Sequence, residues 1–332
     1  MAATCGVRHD NTLHRVSYSP SSQSSQCDGI YKHQDEVLDL SPCAGQSNCV
    51  LTVFRNKTSS GCALWKLPPT KPNLKPVPVE LEQLTLLQSS EKIAFQKVLT
   101  HDDRPDRVIV VGNDRIVEMS LEGGGATEEL VAVLPDLNVD IATGAWNPNR
   151  AQEVALCHGS HFSGFDLRSN VRSFCSPTMA GGVLRDISWN GSQPRCLITG
   201  GNDRSVQGWD TRLLRRPLWV LEEAHSHWIW QCRQHREYDR LLLTSSSDTG
   251  VKLWSQQLSV PPESHGMDPS ERESVAFTLL GSGEEHQDSV YSVAWSMAST
   301  FTFASLSYDG RLVVAAVDLQ ARSTFLQEEQ RR

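Results

Sequence analysis

Ala224-His-Ser-His-Trp-Ile-Trp230 runs into Leu241-Leu-Leu-Thr-Ser-Ser-Ser-Asp248 and closes on Val251-Lys-Leu-Trp254. Apolar and polar residues alternate in these segments with the period of two that a half-buried strand needs, and turn residues separate them. The outline recurs on both sides. Upstream, Leu184-Arg-Asp-Ile-Ser-Trp189 leads to Cys196-Leu-Ile-Thr-Gly-Gly-Asn-Asp203 and Ser205-Val-Gln-Gly-Trp-Asp210. Downstream, His286-Gln-Asp-Ser-Val-Tyr-Ser-Val-Ala-Trp295 leads to Phe303-Ala-Ser-Leu-Ser-Tyr-Asp309 and Leu312-Val-Val-Ala315. Three short strands joined by turns is therefore a unit that repeats.

Fainter copies precede these. Thr143-Gly-Ala-Trp146 to Phe165-Asp166 keeps the outline, Val108 to Met119 keeps the middle strands, and His33 to Trp65 opens the series. The corresponding aromatics Phe165, Trp209 and Trp254 are 44 and 45 positions apart, the spacing of WD repeats. One small antiparallel sheet cannot bury both of its faces, so successive copies must stack face to face. The expected fold is all-β, a WD40-repeat β-propeller of seven blades. Residues 1–19 supply strand-like material for a first blade that is incomplete. The expected organisation is one propeller over residues 1–317, with inserted surface loops at 67–92 and 255–285 and a polar C-terminal tail at 318–332. The loops are read from their composition, which includes Pro68, Pro69, Pro72, Pro76 and Pro78 in the first and Pro261 and Pro262 in the second.

Composition narrows the function. The 31 Lys and Arg residues against 39 Asp and Glu give a net charge of −8, which argues against a phosphate-gripping basic face and so against nucleic acid as the main partner. No apolar run approaches the ~20 residues that cross a bilayer, so no direct membrane insertion is expected. Nine cysteines at irregular spacings, several inside apolar strands, read as reduced thiols of a cytosol-facing protein.

The recurring His, Ser, Asp and Trp invite a hydrolytic reading, because Ser, His and Asp make up a nucleophilic triad. A set that returns with the blade period is framework instead. In WD repeats a His before the first strand, a hydroxyl in the second, a turn Asp and a third-strand Trp tie one blade together. His225, Ser245 (or Ser246), Asp248 and Trp254 take those places in one copy, His286, Ser305 and Asp309 in the next, and Asp203 and Trp209 in the one before. The groups His225, His227, Cys232, His235 and Cys157, His158, His161 lack zinc-module spacing. Gly281-Ser-Gly283 lacks the Lys-Ser/Thr pair of a phosphate loop. No cofactor, metal or catalytic residue is therefore expected.

A binding surface is expected at the strand tips. Ile229 and Cys232 fall where a first strand faces its neighbours, which leaves Trp228 and Trp230 near the opening of the ring. Tyr291 and Tyr308 take comparable places in the following blade, and Arg185 and Asn202 in the preceding one. Trp, Tyr and Arg are the residues that dominate energies at protein interfaces.

Residues 184–314, above all Ala224–Trp230, Asp239–Asp248, Glu285–Trp295 and Phe303–Val314, closely resemble the EARP-and-GARP-complex-interacting WD-repeat family. A looser likeness extends toward the start, through His33–Trp65 and the endings Phe165-Asp-Leu-Arg168 and Trp209-Asp-Thr-Arg212. The resemblance implies a monomeric, non-catalytic platform that partners the EARP and GARP tethering complexes. It also implies a cytoplasmic protein, peripheral at endosomes and the trans-Golgi network, serving endosomal recycling and endosome-to-Golgi vesicle traffic. The chain departs from the pattern where Ala315 and Ser120 replace a blade-closing Trp and Gly159 replaces a turn Asp. The competing reading is a substrate adaptor of the ubiquitin-ligase receptor or peroxisomal import receptor type, because the Asp-x-Arg endings at Asp166–Arg168 and Asp210–Arg212 also occur in ligase adaptors.

Overall fold

The computed structural model describes residues 2–3, 11–22, 24–57, 59–69, 76–88, 93–121, 125–133, 141–179, 181–258 and 275–330. Pro72, Pro261 and Pro262 of the two expected loops lie outside them. Two compact units divide the chain, Met1–Thr178 and Met179–Arg332. The described strands form seven sheets, the blades of a β-propeller, four in the first unit and three in the second.

In the N-terminal unit the first sheet holds β1 (Ala2–Ala3), β2 (Asn11–Ser19) and β3 (Ser24–His33). The second opens with β4 (Glu36–Pro42), β5 (Cys49–Arg55) and β6 (Ser60–Lys66). Strand β7 (Pro78–Glu80) then adds to β3 in parallel, and β8 (Glu82–Leu87) adds to β6 antiparallel. The third sheet is β9 (Phe95–Thr100), β10 (Arg107–Gly112), β11 (Arg115–Ser120) and β12 (Thr127–Val133). The fourth is β13 (Ile141–Trp146), β14 (Glu153–His158), β15 (His161–Asp166) and β16 (Val171–Cys175). In the C-terminal unit follow β17 (Leu184–Trp189), β18 (Cys196–Gly201), β19 (Val206–Asp210) and β20 (Trp219–Leu221). The sixth sheet is β21 (Ile229–Gln234), β22 (Leu241–Ser246), β23 (Val251–Leu258) and β24 (Val275–Gly283). The seventh has three strands, β25 (Val290–Trp295), β26 (Thr302–Ser307) and β27 (Leu312–Ala316). Helix α1 (Leu319–Gln330) follows.

Strand periodicity becomes packing between blades. In β22, Leu242 joins the cluster of Ile198, Val206, Ile229, Cys232 and Trp254, while its neighbour Leu243 points the other way into that of Val251, Val290 and Val293. A second strand is thus apolar on both faces, because a sheet lies on each side of it; β22 is buried from end to end. Outer strands lose that cover, and β16 is mostly exposed.

Both expected inserted loops need correction, since each contains the outermost strand of a blade. Glu82–Leu87 is β8 and Val275–Gly283 is β24, and both are half-exposed strands whose apolar pattern is weak for that reason. The expected polar tail contains α1. Asp318 caps its start by accepting from the Gln320 and Ala321 amides, at 2.9 and 3.4 Å. Phe325 is buried against Tyr238 and Phe301, and Glu329 and Glu328 pair with Arg240 at 2.8 and 3.5 Å.

One irregularity repeats and places the functional residues. Opening strands β13, β17, β21 and β25 shift register after their first residue, β4 after its second, and β9 opposite Val111 and Gly112. Such a bulge leaves one residue unpaired and re-aims its side chain. The bulged residues are Leu38, Gln96, Ala142, Arg185, Trp230 and Tyr291. The residue after the bulge reaches a neighbouring blade. Asp39 Oδ2 accepts from the Val98 amide, Asp186 Oδ2 from the Cys232 amide and Gln231 Oε1 from the Val293 amide, each at 2.9 Å.

Candidate functional site: a cation-aromatic face on the C-terminal unit

The framework set sits where the sequence places it, with one residue exchanged. His225 is buried, and its Nδ1 lies 3.0 Å from both carboxylate oxygens of Asp248. Its Nε2 lies 2.8 Å from Oγ1 of Thr244, which also accepts from Trp254 Nε1 at 3.1 Å. Thr244, not Ser245, is therefore the hydroxyl of this blade. Adjacent strand residues point to opposite faces, so Ser245 turns away from the histidine, and its buried Oγ has no hydrogen-bond partner. Burial alone would raise the Asp248 carboxyl, but the His225 ring and the Ser226 and Gly250 amides outweigh it and hold the group well below the usual carboxylate range.

The neighbouring copies are looser. His286 Nε2 meets Ser305 Oγ at 2.8 Å, but its Nδ1 is buried without a hydrogen bond and lies 3.6 Å from Asp309. Asp309 instead accepts from the Gln287 and Arg311 amides at 2.7 and 2.8 Å. In the fifth blade Trp209 Nε1 donates to Thr199 Oγ1 at 3.0 Å, while Asp203 needs correction as a network member: it binds Ser205 and Gln207 within its own turn. In sequence the place of His225 and His286, 23 residues before the turn Asp, is taken by Ala180 in this copy. The second blade carries the His, hydroxyl and Trp of the set, which sequence reading outlined only by its ends, with His33 Nδ1 2.9 Å from the Asp35 carbonyl oxygen in place of a turn Asp. Thr52 Oγ1 receives Trp65 Nε1 at 2.8 Å and lies 3.2 Å from His33 Nε2. Gly159, at the expected turn Asp, has φ +57°, a conformation that suits glycine. These sets tie the strands and turns of single blades together.

The surface set comes together as one patch. Ile229 and Cys232 are fully buried, whereas Trp228 is 40% and Tyr308 61% exposed. Arg185 lies between two indoles, its Cζ 4.5 Å from the Trp228 ring centroid and 4.4 Å from that of Trp230. Such stacking of a guanidinium on indole is attractive and pre-orders both partners. Arg185 Nε donates to Asn202 Oδ1 at 2.5 Å, and Trp230 Nε1 to Ser247 Oγ at 2.7 Å. Tyr308 stands edge-on to Trp230 at 6.4 Å and packs on Tyr291 at 4.7 Å. The bulges of three successive blades thus supply Arg185, Trp230 and Tyr291, and turns supply Asn202, Ser247 and Tyr308. Ser247 was missed by sequence reading; the signal available was its place one residue before the turn Asp248, equivalent to Asn202 before Asp203 and Tyr308 before Asp309.

Comparison with known proteins fits this architecture. The EIPR1 beta-propeller family model matches residues 1–254, and the WD domain, G-beta repeat, matches 277–314. The chain is 28% identical to "EARP and GARP complex-interacting protein 1" of Rattus norvegicus, over 96% of this chain and 90% of that protein. It is 30% identical, with the same coverage, to "EARP-interacting protein homolog" of Danio rerio. It is 26% identical to "WD repeat-containing protein DWA2" of Arabidopsis thaliana, over 96% of this chain and 89% of that protein. With that match across most of its length and the blade architecture it describes, the chain belongs to the EIPR1 β-propeller family.

Proposed function

We propose that this chain is a non-catalytic interaction platform for the EARP and GARP tethering complexes, acting in the cytoplasm at endosomes and the trans-Golgi network in recycling and endosome-to-Golgi traffic. The observation that carries the platform reading is the contiguous patch of Arg185, Trp228, Trp230, Tyr291 and Tyr308, which is mutually stacked, partly exposed and made of interface-rich residue types. The choice of partner rests on the names of the relatives. The Ser, His and Asp residues are spent on closing blades, which supports a role without chemistry. A substrate-adaptor reading draws on one further feature: Asp210 holds the exposed Arg212 through its backbone amide and its guanidinium, at 2.6–3.1 Å, which presents that arginine in a fixed pose.

Affinity purification of the tagged chain from cells, with Trp228→Ala/Trp230→Ala beside it, tests both. Recovery of subunits shared by the two tethering complexes, lost in the double variant at unchanged melting temperature, is the expected result. The double substitution should weaken capture by more than ~2 kcal/mol. Recovery of ligase or peroxisomal components in their place would overturn the tethering reading in favour of the adaptor.

A further inference from the structure

We propose that the Arg185 guanidinium receives a carboxylate, the side chain of an Asp or Glu in an extended segment of the partner, with neighbouring apolar or aromatic residues of that segment lying on Trp228 and Tyr308. This rests on reading the patch as the partner-binding face, and it adds the chemistry by which the partner would be recognised.

The case is one of unmatched charge. Three described arginines of the C-terminal unit are not exposed: Arg185, Arg233 and Arg240. Arg233 pairs with Asp186, and Arg240 with Glu328 and Glu329. Arg185 has no such acid among the described residues; its hydrogen-bond partner is the neutral Oδ1 of Asn202. Burial pulls its pKa down from the usual arginine value, with Tyr308 pulling the other way less strongly; an arginine side chain is charged at neutral pH. A desolvated cation without a counter-ion is costly, and a carboxylate brought to it recovers that cost.

The nearest acids in sequence are already committed. Asp186 binds the Cys232 amide and Arg233, and Asp203 binds Ser205 and Gln207. Indoles cover the guanidinium and Nε is spent on Asn202, so the two-nitrogen Nη edge is what remains. That edge matches a carboxylate in the paired geometry that arginine favours. A dianionic phosphate would call for a second cation; Lys252, in the adjacent blade, already donates to the Ala224 carbonyl at 2.7 Å.

The test is selection of a displayed library of short random peptides on the full-length chain, with Arg185→Gln as the counter-selection target. Enriched peptides should share one Asp or Glu beside apolar or aromatic residues. Changing that acid to its amide should weaken binding to the wild-type chain by about tenfold or more and leave binding to Arg185→Gln unchanged. Arg185→Lys should not restore the preference, because an ammonium lacks the planar fork. If Arg185→Gln does not fold, the acid-to-amide comparison on the wild-type chain decides alone. An absence of enriched peptides, peptides without a fixed acid, peptides bound equally by Arg185→Gln, or tighter binding of a phosphoserine version would each overturn the proposal. Peptides can fail in these ways while the tethering complexes are still captured, and capture can fail while acid-bearing peptides bind, so the two readings fall separately.

Discussion

Thr244 and Ser245 are adjacent, fully buried hydroxyls, and exchanging each for its nearest isostere should give very different results. Thr244→Val removes the one oxygen shared by His225 Nε2 and Trp254 Nε1 while nearly keeping volume. Both ring nitrogens then stay buried with nothing to bond, and each orphaned group costs about 1–3 kcal/mol, so a loss of about 2–6 kcal/mol follows. Ser245→Ala removes an oxygen that already has no partner, so it should change stability by less than ~0.5 kcal/mol or raise it slightly. Urea unfolding followed by tryptophan fluorescence reads both, since Trp254 sits in the affected blade. The midpoint should fall for Thr244→Val at unchanged slope and stay put for Ser245→Ala. Equal losses in the two variants, or a larger one for Ser245→Ala, would refute the exchange of roles and return Ser245 to the network.

Three further outcomes are expected. Phe325→Ala should cost about 3–5 kcal/mol by emptying the seat between Tyr238 and Phe301, and amide exchange over residues 319–330 should rise to the rate of unprotected chain. The Asp248 carboxyl is depressed in the fold, so its stabilisation is complete above the unfolded value of 3.8 and disappears as pH falls through the lower folded one; the melting advantage of wild type over Asp248→Asn should therefore shrink below about pH 4. His158 is pushed down to about 4 by burial, with His161 and Arg172 adding to it. The unfolded chain therefore takes up that proton first, and stability should drop as pH falls from about 6.5 toward 4; a titration of melting temperature in which His158→Gln keeps the same drop would count against this assignment.

Blade identity was readable because the second strand of a blade is built from apolar and small residues and ends in a turn, and β18, β22 and β26 spell this out with their Asp203, Asp248 and Asp309 turns. Outer strands were not readable for the opposite physical reason. β8 and β24 have one cover or none, so their sequences are free to resemble loops. Which of two adjacent hydroxyls met His225 depended on a single-residue phase, and the run Thr244-Ser-Ser-Ser247 holds a hydroxyl in every phase. The helix escaped notice because one fully buried aromatic, Phe325, with Ala321 and Leu326 partly buried beside it, anchors a mostly polar segment. The surface residues were found by offset from the repeat. The bulge that aims them was invisible, since nothing in Leu184-Arg-Asp or Ile229-Trp-Gln marks an unpaired residue.

That bulge explains how one repeat can hold a constant frame and a variable surface. Within two consecutive residues the first strand turns one side chain out and sends the next into a neighbouring blade: Arg185 and then Asp186, Trp230 and then Gln231. In these two pairs, as at Asp39, the second residue accepts from a backbone amide of the adjoining strand. The first carries no such duty, and its identity ranges over Leu38, Gln96 and Ala142 in the N-terminal unit and Arg185, Trp230 and Tyr291 in the C-terminal one. Aromatic and cationic character is confined to the second set although the scaffold offers equivalent positions in both. The concentration of costly, partly exposed side chains in three successive blades is the feature on which the proposed binding face rests.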